Sequence, residues 1–246
     1  MKRNSKLYLV AAVLAAVALA GCGEKRDRSA AEQHVFRPEP STSRSAPTQQ
    51  VVMIVMDLSG SFTDKMAEDG KAYEFAIHVL DRYFRRPDSQ TDKIILAQIS
   101  GTEKSLMWEG SPLDLRREFP SADKFRDFLL EKADGGGSLV HDGVRNAIDY
   151  LTYHPNYGSS NARTVTLILS DMDDTGSVDS EQRLTTSLAA NAQNQGAIGI
   201  YFCNQLKVEE WKRRLGSAGY LYFVVESEIV GRPQLPNFEV FPRTPR

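Results

Sequence analysis

Apolar residues along the chain fall into two patterns. Short continuous apolar runs predict buried strands, and longer segments with apolar positions every three or four residues predict helices. The predicted strands are residues 51–56, 93–100, 165–170, 197–203 and 221–225, with 104–108 as a candidate short edge strand. The predicted helices are residues 65–85, 121–133, 139–153, 181–195 and 208–218.

The alternation of these elements indicates the fold class. Continuous apolar strands separated by helices are typical of a parallel sheet covered on both faces. We therefore predict an α/β fold, with a doubly wound, mostly parallel sheet flanked by helices. In such sheets, ligands bind at the carboxyl ends of the strands, where successive connections go to opposite faces. Functional side chains are expected in the loops that follow strands.

The N-terminus has the pattern of a targeting segment. Lys2, Arg3 and Lys6 precede a short apolar run that ends at Cys22, which predicts a signal peptide over residues 1–21. The ending Leu-Ala-Gly-Cys resembles the bacterial lipoprotein box, and that resemblance implies that Cys22 carries lipid. The expected anchor is therefore acyl chains on Cys22, possibly palmitate among them, rather than a membrane span.

Composition sets the remaining boundaries. Residues 22–50 are rich in polar residues and proline and predict a flexible tether, residues 51–228 form the predicted domain, and residues 229–246 form a proline-rich tail. The formal net charge of −2 predicts no general attraction to nucleic acid. Cys203 ends an apolar run, which favours a small buried residue over a reactive thiol.

Oxygen-bearing side chains are concentrated in three of the predicted loops. Asp57, Ser59 and Ser61 follow the first strand in the stretch Asp-Leu-Ser-Gly-Ser, Ser138 follows three glycines, and Asp171 follows the strand at 165–170. Two carboxylates and three hydroxyls, without histidine or cysteine, are a ligand set for a hard cation such as Mg²⁺.

The same motifs resemble the von Willebrand factor A (VWA) family with a metal-ion-dependent adhesion site (MIDAS). The family motif Asp-x-Ser-x-Ser is met by Asp57, Ser59 and Ser61, and the third-loop aspartate by Asp171; Ser138 stands where the family has threonine. The resemblance covers roughly residues 51–225. It implies that these five residues hold Mg²⁺ or Mn²⁺ and that a glutamate or aspartate of a partner protein completes the coordination.

Other interpretations of these residues stay open at the level of sequence. The stretch from Asp171 to Thr175 also matches Asp-x-Asp-x-Thr of haloacid-dehalogenase-type phosphotransferases, which would make Asp171 a nucleophile and Asp173 a general acid. The residues from Asp171 to Gln182 partly match a calcium loop. Asp57 or Ser59 could instead cap the helix that follows.

The sequence therefore predicts a non-enzymatic binding protein of the bacterial envelope. The VWA resemblance implies a cation-dependent adhesion or scaffold module that engages an acidic group of an envelope protein. Lipidated Cys22 would place it on a membrane, facing the periplasm or the surface, and Gly23 after the cysteine favours the outer membrane. The alternatives are the Mg²⁺-dependent phosphohydrolase and a scaffold that needs no metal.

Overall fold

The computed structural model describes residues 50–59, 62–66, 70–85, 91–99, 105–133, 137–158 and 162–234. Two predicted functional residues, Cys22 and Ser61, lie outside the described residues, as do the whole predicted signal peptide and almost all of the predicted tether. Within the part of the chain that is described, no helix has the length and apolar character needed to cross a bilayer.

Strands and helices follow one another in the predicted order. In chain order they are β1 (Gln50–Asp57), α1 (Thr63–Met66), α2 (Lys71–Phe84), β2 (Lys93–Ile99), β3 (Leu106–Gly110), α3 (Pro112–Glu118), α4 (Ala122–Lys132), α5 (Val140–Tyr153), β4 (Arg163–Leu169), α6 (Val178–Gln193), β5 (Ala197–Cys203), a 3-10 turn (Gln205–Lys207), α7 (Val208–Ala218) and β6 (Phe223–Ser227).

The six strands form one sheet in the order β3-β2-β1-β4-β5-β6. Every neighbouring pair is parallel except β2 with β3, which is antiparallel. The predicted mostly parallel, doubly wound α/β fold is confirmed. Because β1 lies between β2 and β4, the chain leaves the centre of the sheet in one direction after β1 and returns on its other side with β4. The switch point of the sheet is therefore between β1 and β4.

Side chains of β1 enter two separate cores. Val51, Met53 and Val55 point to one face of the sheet, where residues of α5, α6 and α7 cover them. Their alternating neighbours Val52, Ile54 and Met56 point to the other face, beneath residues of α1 to α4. Burial on both faces explains why the sequence of this strand is apolar at every position rather than at every second one.

The helix predicted over residues 65–85 is interrupted, so this prediction was wrong in part. Gly70 separates α1 from α2, and a Cβ atom at that position would lie 2.2 Å from the carbonyl oxygen of Lys65. Only glycine allows the two short helices to approach this closely. The interruption is a tertiary feature, which helical periodicity does not detect.

The helix α3 was missed by the periodicity analysis, although its N-terminus has a clear local signature. Ser111 accepts a hydrogen bond from the backbone N–H of Asp114, and the Asp114 carboxylate accepts one from the backbone of Ser111. This capping box, together with Pro112 in the first turn, marks a helix start even in a short element. The predicted cap Ser121 of α4 is confirmed.

Candidate functional site

Asp57, the last residue of β1, is the centre of a buried polar cluster. Its side chain is fully buried. The Asp57 Oδ1 atom accepts hydrogen bonds from the Ser59 hydroxyl at 2.6 Å and from the Ser59 backbone N–H at 3.1 Å. Its Oδ2 atom accepts a hydrogen bond from the Ser170 hydroxyl at 2.8 Å. The carboxylate is therefore fixed by the ends of two neighbouring parallel strands.

Ser138, in the loop before α5, brings a third hydroxyl to the same carboxylate. Its Oγ atom lies 2.5 Å from the Oγ atom of Ser59, 79 residues away in sequence. The same atom is 3.3 Å from Asp57 Oδ1. The structure thus brings together Asp57, Ser59 and Ser138, three of the predicted site residues, at the switch point of the sheet. Neither Asp57 nor Ser59 directly precedes α1, which begins at Thr63, so they do not serve as its cap.

Asp171 follows directly on Ser170 and belongs to the same cluster electrostatically. Burial raises the pKa of Asp171, and the nearby carboxylates of Asp57 and Asp173 raise it further. The backbone N–H of Asp173, which donates to Asp171 Oδ1 at 3.0 Å, and the charge of Lys65 act in the opposite direction. A positive charge placed between Asp57 and Asp171 would therefore relieve both the desolvation and the mutual repulsion of the carboxylates.

The backbone turns sharply just after Asp171. Met172 has φ of 63°, in the left-handed region that non-glycine residues rarely adopt, and its side chain is buried in the core. The N–H of Met172 donates to the Ser170 hydroxyl at 2.9 Å, and the Asp171 carbonyl accepts from the N–H of Asn204 at 2.8 Å. These bonds hold a strained conformation of the kind that is concentrated at functional sites.

The loop after β4 also holds the start of α5. Thr175 donates two hydrogen bonds to the Ser138 carbonyl, one from its backbone at 3.0 Å and one from its hydroxyl at 2.9 Å. The Asp174 carboxylate accepts from the backbone N–H of His141 and lies 2.9 Å from His141 Nδ1. Burial lowers the pKa of this histidine, although Asp174 opposes the shift. Ser138 is therefore positioned by residues far from it in sequence.

Sequence analysis missed several of these supporting residues. Ser170, Thr175 and Asn204 were not identified, and Asp174 was interpreted as a solvated loop charge. That interpretation was wrong, because only 11% of the Asp174 side chain is exposed. Ser170 could have been recognised as the hydroxyl next to Asp171 at a strand end. Thr175 and Asp174 act through contacts that local sequence does not reveal.

Two other sequence-based interpretations can be compared with the geometry. The calcium-loop alternative is wrong, because α6 begins at Val178 and takes up Asp179 and Gln182 of the putative twelve-residue loop as helix. The prediction that Cys203 is a small buried residue is confirmed: the thiol is free and fully buried, and burial together with nearby Asp171 and Asp173 raises its pKa to about 12.

The donor chemistry of the cluster fits a hard cation. The described members Asp57, Ser59, Ser138 and Asp171 offer carboxylate and hydroxyl oxygens, which Mg²⁺ and Mn²⁺ prefer. No group of three or more His, Cys, Asp or Glu side chains suited to a metal ion occurs among the described residues. A site with two carboxylates and several serines would not require such a group.

Comparisons with known proteins identify the architecture and nothing finer. No family model matches the chain, and no curated protein matches it. Among solved structures, the pilus adhesin SpaC from Lactobacillus rhamnosus GG is similar over 72% of this chain and 28% of its own, with 11% sequence identity and a TM-score of 0.50. At this identity the similarity concerns the fold alone.

Two other solved structures are more distant still. Proximal thread matrix protein 1 from the mussel byssus matches over 74% of this chain and 44% of its own, with 11% identity and a TM-score of 0.44. The TFIIH p34 N-terminal domain matches over 77% and 93%, with 10% identity and a TM-score of 0.48. This chain spans less than half the length of the adhesin and of the byssus protein. Fold and site together define an α/β protein with an oxygen-lined cluster at its switch point.

Proposed function

We propose that this chain is a VWA-type binding module whose MIDAS-like site holds Mg²⁺ or Mn²⁺ through Asp57, Ser59, Ser61, Ser138 and Asp171. The bound cation would engage a glutamate or aspartate of a partner protein in the bacterial envelope. In this proposal the protein is not an enzyme, and acyl chains on Cys22 hold it at the membrane, facing the periplasm or the surface.

The observation that carries the proposal is the meeting of the Ser59 and Ser138 hydroxyls at the carboxylate of Asp57. These groups come from two loops that are far apart in sequence, and a third loop adds Ser170 and Asp171. Buried polar groups of this kind are costly to assemble without a purpose, because each must give up its hydration. A cation site is a purpose that matches both the oxygen donors and the repulsion felt by Asp171.

The chemistry of a cation at this place favours recognition of an acidic partner. Three of the five proposed ligands are serine hydroxyls, which do not neutralise the charge of a divalent ion. The cation would keep part of its positive charge and attract an external carboxylate. Mg²⁺ prefers near-octahedral coordination and retains water where the protein provides no ligand, so one position can be exchanged for a carboxylate oxygen of the partner.

Titration calorimetry of the wild type and of Asp57→Asn with Mg²⁺ and Mn²⁺ tests the proposed site. The substitution keeps the shape of the side chain and removes its charge. We expect binding by the wild type and at least tenfold weaker binding by Asp57→Asn, since the loss of one charged contact costs about 1.5–3 kcal/mol. Asp179→Ala, which removes an exposed carboxylate on α6, serves as the control and should bind like the wild type. Equal binding by Asp57→Asn and the wild type would contradict the proposal.

Two further measurements separate the competing functions. Capture of an envelope protein that is abolished by EDTA and by Asp57→Asn supports the binding module, whereas capture indifferent to chelation indicates a metal-independent scaffold. Phosphatase activity that survives Asp57→Asn but is lost in Asp171→Asn would instead support the phosphohydrolase.

A further inference from the structure

The strand β6 forms one edge of the sheet and has an apolar face that is only partly covered. On the neighbouring strand β5, Tyr201 is buried beneath Phe75, with ring centroids 4.4 Å apart. On β6 the apolar side chain Val224 remains 43% exposed, and Leu221, just before the strand, is 83% exposed. An exposed strand edge with apolar side chains invites pairing with another strand, and native proteins usually cover such edges.

The chain reverses direction directly after β6. The N–H of Val230 donates to the Ser227 carbonyl at 3.0 Å, which closes a turn. Farther on, the N–H of Gln234 donates to the two carboxylate oxygens of Glu226, at 3.3 Å and 3.1 Å. Residue 234 has thus returned to the side of residue 226. Glu226 and Val224 share one face of the strand because side chains alternate, so the chain has returned to the face that carries Val224.

The sequence beyond Gln234 has the composition needed to cover this face. Residues 237–241, which we call the C-terminal apolar segment, read Asn-Phe-Glu-Val-Phe and contain no proline, although Pro236 and Pro242 flank them. Phe238 and Val240 occupy alternate positions, as in a strand with one apolar face. Residues 235–241 can extend over roughly 23 Å at about 3.3 Å per residue, which exceeds the roughly 17 Å needed to pass from Glu226 back to Leu221.

We propose that the C-terminal apolar segment of the same chain docks antiparallel along the outer edge of β6, with Phe238 and Val240 covering Val224. The segment extends the sheet by one strand and removes the open edge. The prediction of a tail without regular structure rested on its four prolines, and the new strand lies between two of them. Pro236 is compatible with this position, because proline is tolerated at the edge of a sheet. The proposal does not depend on the cation site.

Hydrogen exchange at the individual backbone amides of β6 in the full chain tests this docking. In a strand, alternate amides point to opposite neighbours, so the segment should protect only the amides that point away from β5. We expect Phe238→Asp to accelerate exchange at these alternate amides at least tenfold, to the rate seen in a chain that ends at Gln234. Asn237→Asp adds the same charge on the polar side of the segment and should leave the rates within about twofold of the wild type.

Three outcomes would overturn the proposal. The first is equal β6 protection in the wild type, in Phe238→Asp and in the chain that ends at Gln234. The second is equal loss of protection in Phe238→Asp and Asn237→Asp. The third is protection in the wild type that falls on dilution, because that result would assign the edge to a second copy of the chain.

Discussion

At the scale of single residues, Asp57 organises the candidate site. Hydroxyls of Ser59, Ser138 and Ser170 converge on one buried carboxylate, and each comes from a different loop. The position of Asp57 at the end of an apolar strand could be predicted from the sequence, as could the nearby Ser59. The role of Ser170 could not, because its significance depends on the pairing of β4 with β1.

Ser170 provides the first prediction. Its hydroxyl donates to Asp57 and accepts from the N–H of Met172, so Ser170→Ala leaves buried polar groups without a partner. We expect a loss of about 1–3 kcal/mol in the free energy of unfolding, measured by urea denaturation. Ser187→Ala, at another buried serine, is the control and should cost less than about 0.5 kcal/mol. Equal losses in the two variants would show that Ser170 has no special positioning role.

Cys203 provides a prediction about pH. The pKa of its thiol is raised to about 12 in the folded protein, so the folded state keeps a proton that the unfolded chain releases above its ordinary pKa near 8.5. Stability contributed by the protonated thiol is complete below pH 8.5 and is lost as the pH rises toward 12. The stability of the wild type relative to Cys203→Ala should therefore fall by roughly 1.4 kcal/mol per pH unit between pH 9 and pH 11. A pH-independent difference would contradict a raised pKa.

At the scale of elements, the start of α5 is held by the loop after β4. The sequence predicted both elements from their apolar patterns, with boundaries within two residues of those observed. It did not predict the contacts between them, because Thr175 and Ser138 are 37 residues apart and neither stands out in its local pattern. The break at Gly70 was missed for the same reason: it depends on the approach of two helices.

Thr175→Val tests whether this contact positions the site. Valine keeps the shape of threonine but removes the hydroxyl that donates to the Ser138 carbonyl. We expect a loss of about 0.5–1.5 kcal/mol in stability and weaker Mg²⁺ binding, measured by denaturation and calorimetry. Thr185→Val is a matched control, because the exposed Thr185 hydroxyl also donates to a carbonyl, that of Glu181. An unchanged Mg²⁺ affinity in Thr175→Val would restrict the contact to a structural role.

At the scale of the whole molecule, the sheet determines where the loops meet. Parallel strands place their carboxyl ends at one edge, and the divergence of connections around β1 and β4 opens the position that Asp57 and Asp171 share. The sequence pattern was sufficient to predict this arrangement, since it depends only on the order of strands and helices. The order of strands within the sheet, including antiparallel β3 at the edge, required the structure.

A cation bound at this position should stabilise the whole domain. A ligand that binds only the folded state at about 100 times its Kd adds roughly 2.7 kcal/mol. For a domain of this size, the thermal midpoint should rise by roughly 5–10 °C in saturating Mg²⁺ and return to its original value after EDTA. Differential scanning calorimetry measures this shift. An identical shift in Asp57→Asn would mean that the cation acts elsewhere.

A crystal structure of the protein with Mn²⁺, with the ion located by its anomalous scattering, is the most direct test of the central claim. The account predicts one anomalous peak at a coordination distance of about 2.1–2.2 Å from the Ser59 hydroxyl, with the Ser138 hydroxyl and Asp171 at bonding distance or one water away. The direct contact between the Ser59 and Ser138 hydroxyls, now 2.5 Å, should then give way to shared coordination. No peak at millimolar Mn²⁺, or a peak only at a place remote from Asp57, would contradict the account.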